Sequence, residues 1–254
     1  FLEKVSVASV DLSPEPIVAH EHPASYLIEI GVEELPASDI DHALAQLEES
    51  VPDLLAEYRL SHGVIHVFGT PRRLAVLVED LSPCQLDSEM MVRGPAARDI
   101  YDRDGNPTSA AQGFARSKGI EVEELEVRKT NGGEYVFALV KEMGKPVTDL
   151  LVEIGPKIVC GLSFKKTMRW RPGDDSVTFS RPIRWLGSLL GTNVMSFSYA
   201  GIVAGRESRG PLPLGAHPVT IPDANDYPDL MSKHQIMITP AERREFIAAE
   251  AQLL

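Results

Sequence analysis

The sequence holds little from which a catalytic centre is usually built. Its two cysteines, Cys84 and Cys160, stand 76 positions apart in 254 residues and form no paired motif. Thiols so placed fit a reducing compartment (a cytosol, or the stroma or matrix of an organelle) better than a disulfide framework or a zinc site. No apolar run approaches the ~18 residues of a membrane span, and no basic leader followed by an apolar stretch opens the chain, so no secretory signal is visible. Position 1 is Phe rather than Met, which leads us to expect an upstream part, either cut away or belonging to the same polypeptide. There is no Gly-x-x-x-x-Gly-Lys-Ser/Thr loop and no Gly-x-Gly-x-x-Gly turn, so neither kind of phosphate cradle is supported. No serine sits in a Gly-x-Ser-x-Gly turn, and neither cysteine carries a nucleophile signature. His62 and His66 have helical spacing, but Gly63-Val64-Ile65 between them reads as strand, where four residues span roughly 13 Å; one metal cannot bridge that gap. His20 and His22 fall in the N-terminal arm. Glu33 and Glu34 are adjacent at a strand end and point opposite ways, which makes them a solvated turn or helix start rather than a shared acid pair. No catalytic residue and no metal site are expected.

What is present is an ordinary globular composition, 43% hydrophobic and 24% charged, with an uneven charge distribution. The net charge of −12 argues against a protein that simply coats nucleic acid. Yet between Phe164 and Gly210 stand eight cations (Lys165, Lys166, Arg169, Arg171, Arg181, Arg184, Arg206 and Arg209) against three acids (Asp174, Asp175 and Glu207), a surplus of +5. Subtracting these from the totals of 25 and 37 leaves 17 cations and 34 acids elsewhere, or −17. Such asymmetry marks a candidate polyanion-facing surface, although arginines on strands are equally often solvated edge residues.

Residues 1–25, with Ser13-Pro14-Glu15-Pro16 and His20-Glu21-His22-Pro23, read as a linker or arm. Order is expected from Tyr26-Leu27-Ile28-Glu29-Ile30, a strand. A helix follows with Ser38 as cap and Ile40, Leu44, Leu47 and Val51 on one face, and Pro52 is expected to kink it or to start a second helix capped by Ser50. Val64–Phe68 and Leu74–Val78 form a hairpin through Gly69–Arg73, with a further strand at Glu89–Arg93. After a turn at Asp104–Pro107, Ser109 and Gln112 make a capping box for a short helix ending near Gly119. Leu125–Lys129 and Tyr135–Val140 form a second hairpin around Asn131-Gly132-Gly133, and Thr148–Cys160 a helix entered through Pro146. Strands are expected at Val177–Phe179, Ile183–Leu190, Val194–Tyr199, Val219–Ile221 and Ile236–Ile238, with helices at Tyr227–Lys233 and from Thr239-Pro240 to the last residue. Hairpins mixed with short helices, without βαβ alternation, give an α+β fold: mainly antiparallel sheets with short helices packed on them, in one or two subdomains. Residues 26–254 form the main region, with 98–162 as a possible subdomain or insertion.

Several stretches together resemble one family. Leu27-Ile28-Glu29-Ile30-Gly31-Val32-Glu33-Glu34-Leu35-Pro36 is similar to the opening of the beta chain of bacterial-type glycyl-tRNA synthetase. So are Phe68-Gly69-Thr70-Pro71-Arg72-Arg73-Leu74, Val92-Arg93-Gly94-Pro95, Asp104-Gly105-Asn106-Pro107-Thr108, Gly113-Phe114-Ala115-Arg116 and Gly133-Glu134-Tyr135. Met168-Arg169-Trp170 and Phe179-Ser180-Arg181-Pro182-Ile183-Arg184-Trp185 follow in the family's order and spacing. Two departures stand out. Lys165 occupies the place of the proline in the family's Pro-Lys-Ser-Met-Arg-Trp stretch. Arg209-Gly210-Pro211-Leu212-Pro213 replaces its Arg-Gly-His-Arg-Phe, so any role of that histidine–arginine pair does not transfer to these positions.

The resemblance implies part of a class II enzyme that joins glycine to its tRNA. In that family the alpha chain carries the catalytic centre with its ATP and Mg, and the beta chain helps bind and position tRNA(Gly). No cofactor is expected in the present chain, and helical and anticodon-binding regions are expected beyond Leu254. Implied partners are tRNA(Gly) and a catalytic alpha chain or fused alpha part, in an oligomeric enzyme away from membranes. The implied setting is the bacterial cytoplasm, or a plastid or mitochondrion if alpha and beta are fused as in plant-type enzymes. The tRNA-binding candidates are Lys165, Lys166, Arg169, Arg171, Arg184, Arg72 and Arg73, because arginine forks grip phosphates bidentately. Either arginine of the hairpin has an alternative as a partner of Glu79 or Asp80. Trp170 and Trp185 are stacking candidates, with burial in the core the commoner fate of tryptophan. Ile183, Trp185 and Gly187 are expected on one strand face, with Arg184, Leu186 and Ser188 on the other. Two other readings compete: a protein-interaction scaffold for the catalytic part, and an editing-type deacylase module.

Overall fold

The structure is a computed structural model that describes residues 21–102, 105–130, 133–169 and 177–253. Much of the arm, the Asp104 and Asn131-Gly132 turn positions, Trp170 and Arg171 lie outside the described residues. The elements in chain order are β1 (Ala24–Val32), α1 (Ala37–Glu57), β2 (Ile65–Thr70), β3 (Arg73–Leu81), β4 (Ser88–Ala96), α2 (Ser109–Lys118), β5 (Glu126–Thr130), β6 (Gly133–Glu142), α3 (Val147–Gly161), β7 (Ile183–Leu190), β8 (Asn193–Val194), β9 (Ser198–Tyr199), β10 (Ile202–Val203), β11 (Glu207–Arg209), β12 (Pro218–Thr220), α4 (Tyr227–Lys233) and α5 (Pro240–Gln252). They form an α+β fold of antiparallel sheets that divides into two compact units. One comprises the described residues up to Cys84 together with those from Pro146 onward; the other is Gln85–Lys145.

The first unit is built on a five-stranded antiparallel sheet of order β2-β3-β1-β7-β8. Its central strand is covered on both faces. Tyr26, Ile28, Ile30 and Val32 pack with Leu74, Val76 and Val78 beneath the apolar faces of α1 and α3. Leu27 joins Phe68, Ala75, Leu77 and Leu189 under Ile221, Tyr227, Met231 and Ile238. Double burial explains why Tyr26–Ile30 reads as an almost unbroken apolar run. It also makes Glu29, in the middle of that run and fully buried, a residue that needs a partner.

Several boundaries differ from the sequence reading. α1 is one continuous helix starting after Pro36, and Ser38 lies inside its first turn rather than capping it. Pro52 neither ends it nor starts a second helix: the carbonyl deprived of a donor belongs to Glu48, which is exposed, so water can satisfy it. Val177–Phe179 and Ile236–Ile238 are not strands. The first holds only the isolated bridge Met168–Phe179, and the second is tied to the sheet edge by one bond, Gly69 N–H to the Ile238 carbonyl at 2.9 Å. Val194–Tyr199 breaks into β8 and β9. β7 carries a bulge: Gly31 opposes Trp185 but Val32 opposes Ile183, so Arg184 is the extra residue. Ile183 therefore shares the α1/α3 core with Leu186 rather than the face of Trp185.

In the second unit β4, β6 and β5 form an antiparallel sheet with β6 central. One face packs Val136 against Ile100 and Ala111, with Val122 and Leu125 closing the small core. The cap of α2 is Thr108, whose Oγ1 accepts from Ala111 N–H at 3.3 Å, one residue before the expected Ser109. The helix closes on left-handed Gly119, the usual solution for a helix C-terminus. α3, which the sequence reading grouped with residues 98–162, belongs to the first unit's core through Leu150, Leu151, Ile154 and Ile158. Among the described residues no helix is long and apolar enough to cross a membrane.

Candidate functional site

Glu29 and Arg73 meet on the inner face of the first unit's sheet. Gly31 pairs with Arg73 across the strands and Glu29 with Ala75, so alternation turns Glu29 and the Arg73 side chain to the same face. The Arg73 Nη1 lies 3.5 Å from the Glu29 Oε1, with side-chain exposures of 4% and 0%. Ser208 Oγ donates to the same carboxylate oxygen at 2.8 Å, and the Arg73 Nη2 donates to the Arg209 carbonyl at 2.5 Å. Burial pushes the Glu29 carboxyl above its ordinary value; Arg73 opposes this most strongly, then Ser208, Trp185 and Tyr227. The Trp185 Nε1, the Tyr227 hydroxyl and the Glu29 Oε2 are all buried without a well-formed hydrogen bond. Trp185 and Tyr227 nevertheless favour the charged carboxylate without completing a hydrogen bond to it. Burial, with the neighbouring Glu29 charge adding to it, raises the Tyr227 hydroxyl well above its usual range.

The Trp185 ring lies flat on Gly31, where a Cβ would stand 1.9 Å from its ring atoms. The guanidinium carbons of Arg72 and Arg73 lie 6.0 and 5.8 Å from its ring centroid, at cation–π range.

Backbone hydrogen bonds draw distant stretches together beside this pair. The β2–β3 turn, Pro71-Arg72, is fixed to the segment after β1 by Val32 N–H to the Arg72 carbonyl at 2.9 Å and Leu35 N–H to the Pro71 carbonyl at 2.6 Å. Glu33 N–H donates to the Pro182 carbonyl at 3.0 Å, bringing in the Ser180–Trp185 stretch. The Ser180 hydroxyl bonds the Asp39 carboxylate in the first turn of α1, and the Arg73–Arg209 bond holds the loop after β11. The result is a cavity of about 290 Å³ whose lining includes Glu34, Arg72, Arg73, Pro211 and Met237. Three of the stretches that carried the family resemblance, Leu27–Pro36, Phe68–Leu74 and Phe179–Trp185, thus converge on one place. The cavity wall at Gly210–Pro213 is where this sequence departs from the family pattern, presenting Pro211 and Leu212 instead of histidine and arginine.

The predicted cations separate into distinct environments. Arg73 is buried and its charge is met by Glu29, which removes it from the surface set; its partner is neither Glu79 nor Asp80, and Glu79 instead pairs with His66 at 2.8 Å. Arg72 is half-buried at the cavity. Arg184 is exposed at its bulge, its Nε 3.2 Å from the Glu33 Oε1. Lys165, Lys166 and Arg169 are exposed on the segment after α3, and Arg171 lies outside the described residues. Trp185 is core, 6% exposed. Sequence reasoning missed Glu29, Ser208 and Tyr227. The available signal was Glu29 itself, one acid within an apolar strand and therefore in need of a buried cation.

Comparison with known proteins places the chain among the subunits of aminoacyl-tRNA synthetases. More narrowly, it belongs to the glycyl-tRNA synthetase beta subunit family, whose sequence pattern matches residues 26–254. It is 41% identical over 222 residues to the glycine–tRNA ligase beta subunit of Desulfitobacterium hafniense, covering 87% of this chain and 32% of that protein. It is 42% identical over 234 residues to the Arabidopsis thaliana protein named glycine–tRNA ligase, chloroplastic/mitochondrial 2, covering 92% of this chain and 22% of that one. A Geobacter sulfurreducens glycine–tRNA ligase beta subunit is 40% identical over 223 residues, with 88% and 32% covered. The chain therefore spans about a third or less of the length of these relatives.

Proposed function

We propose that this chain is the N-terminal part of a glycine–tRNA ligase beta chain that helps bind and position tRNA(Gly) and organise the enzyme. ATP-dependent aminoacylation, with its Mg, then belongs to an alpha part, separate or fused. The observation that carries the reading is the family match across residues 26–254. The exposed Lys165, Lys166 and Arg169 support an RNA-facing edge in an otherwise acidic chain, because phosphate contacts supply most sequence-independent affinity. In this reading Lys165 to Arg171 form the phosphate-facing edge, and Arg184 is an auxiliary contact that exchanges Glu33 for a phosphate when RNA arrives.

The test is charge reversal at Lys165, Lys166, Arg169 and Arg171 in the whole synthetase, with tRNA affinity measured across salt concentrations. Loss of affinity is expected, with the log–log salt slope flattening by roughly 0.7 to 0.9 per phosphate contact removed. Normal binding by the variant would leave the chain as a scaffold for the catalytic part. Release of amino acid from mischarged tRNA by the chain alone would instead make it a deacylase.

A further inference from the structure

Two opposite charges line the cavity over the β2–β3 turn without answering each other. Arg72 and Glu34 both border it, and among the described residues neither is engaged by an oppositely charged side chain. Arg73, beside them, has its charge met by Glu29. The Arg72 guanidinium donates no hydrogen bond among the described residues; its Nε is enclosed by protein, which leaves the Nη end to meet an acceptor. The arginine is also held in place. Its carbonyl accepts from Val32 and its N–H donates to the Thr70 Oγ1 at 3.2 Å, while Trp185 lies under its guanidinium. A guanidinium so fixed, beside a cavity walled by Pro211 and Met237, is prepared for an acceptor that brings an apolar body with it.

We propose that this cavity is a binding site for a small-molecule carboxylate. The carboxylate takes the paired Nη end of the Arg72 guanidinium as a planar, two-point contact, and a compact apolar body fills the space toward Pro211 and Met237. The volume of about 290 Å³ admits a ligand of a few heavy atoms, at the small end of ordinary ligand pockets. Glu34, at the exposed rim, selects against a phosphate dianion, because like charge in one lining disfavours the doubly charged group more than the singly charged one. It favours a ligand that adds an ammonium group. This site is independent of the tRNA reading, since it uses none of Lys165, Lys166, Arg169 or Arg171, and charge reversal at those positions leaves it intact.

The test titrates the full-length beta chain with propionate, alanine and inorganic phosphate. Calorimetry gives affinity, and the Arg72 Nε–H resonance of ¹⁵N-labelled protein reports the contact. Propionate is expected to saturate with a dissociation constant on the order of millimolar, and alanine to bind several-fold more tightly. Arg72→Met, which keeps the aliphatic stem, is expected to weaken both by about tenfold or more. Glu34→Gln should remove only the advantage of alanine. Circular dichroism checks that Arg72→Met folds; if it does not, the exposed Glu34→Gln variant and the wild-type Arg72 resonance decide. The proposal is overturned if phosphate binds as tightly as propionate, if no probe saturates, or if the Arg72 resonance or the Arg72→Met affinity is unmoved.

Discussion

Replacing Arg73 by methionine removes the cation from a fully buried pair and leaves Glu29 facing a sulfur and a hydroxyl. At 3.5 Å and an effective dielectric constant of about 20, the pair's gross attraction is about 5 kcal/mol. Breaking a buried pair from one side typically costs about 3 to 5 kcal/mol. Glu29, however, has an escape that Arg73 lacks: it can take up a proton. Starting from its ordinary value of 4.5, protonation at pH 7 costs at most roughly 3.4 kcal/mol, at about 1.36 kcal/mol per pH unit. Burial already raises this carboxyl, so the true cost is lower. At pH 5 the same ceiling is about 0.7 kcal/mol.

Arg73→Met should therefore destabilise the first unit by about 3 kcal/mol at pH 7 and recover most of the loss by pH 5. Glu29→Gln leaves a buried guanidinium that cannot discharge, so its deficit of about 3 kcal/mol or more should persist at both pH values. The sign follows from linkage. A carboxyl raised in the folded state binds its proton more tightly there, so its contribution is full below 4.5 and is lost as pH rises through the folded value. Urea unfolding followed by circular dichroism at pH 5 and 7 measures both variants, and the Glu29→Gln/Arg73→Met double variant completes the cycle. A deficit below about 1 kcal/mol for Glu29→Gln, or an Arg73→Met deficit that does not shrink on acidification, would refute the reasoning.

Gly31→Ala drives a methyl into the Trp185 ring, 1.9 Å from its atoms, in the central strand; we expect a loss of about 3 kcal/mol, read as a fall in melting temperature with altered tryptophan fluorescence. Arg184→Ala removes an ion pair whose members are 60% and 46% exposed. It should change stability by under about 1 kcal/mol in thermal melts, so any accompanying loss of tRNA affinity reports recognition rather than folding.

Alternation and turn chemistry made β1, the β2–β3 hairpin, β7 and α4 legible, because each is decided by neighbours in sequence. What escaped depends on partners far along the chain. The bulge at Arg184 exists only in the pairing with Val32, so Ile183 was assigned to the wrong face. Pro52 looked disruptive because the sequence does not show that the Glu48 carbonyl faces water. The adjacent Arg72 and Arg73 looked equivalent, yet the turn sends one to a cavity and the other to Glu29, 44 positions upstream. The family resemblance picked out the stretches that meet there, but neither composition nor spacing could show that Glu34, Arg72 and Pro211 share a single lining.

The chain leaves the first unit at Cys84 and rejoins it at Pro146. Those two residues form an antiparallel bridge, reinforced by Val147 N–H to the Pro83 carbonyl at 2.9 Å. The 61 residues between them, counted from the unit's limits, thus hang from a doorway that the first unit closes for itself. A segment with touching ends can be shortened, lengthened or exchanged at little thermodynamic expense to its host, since closure entropy grows only with the logarithm of loop length. The helix-capped sheet of residues 85–145 is therefore an insertion whose length the first unit tolerates at little cost, because its two ends are already held together at the host's own bridge.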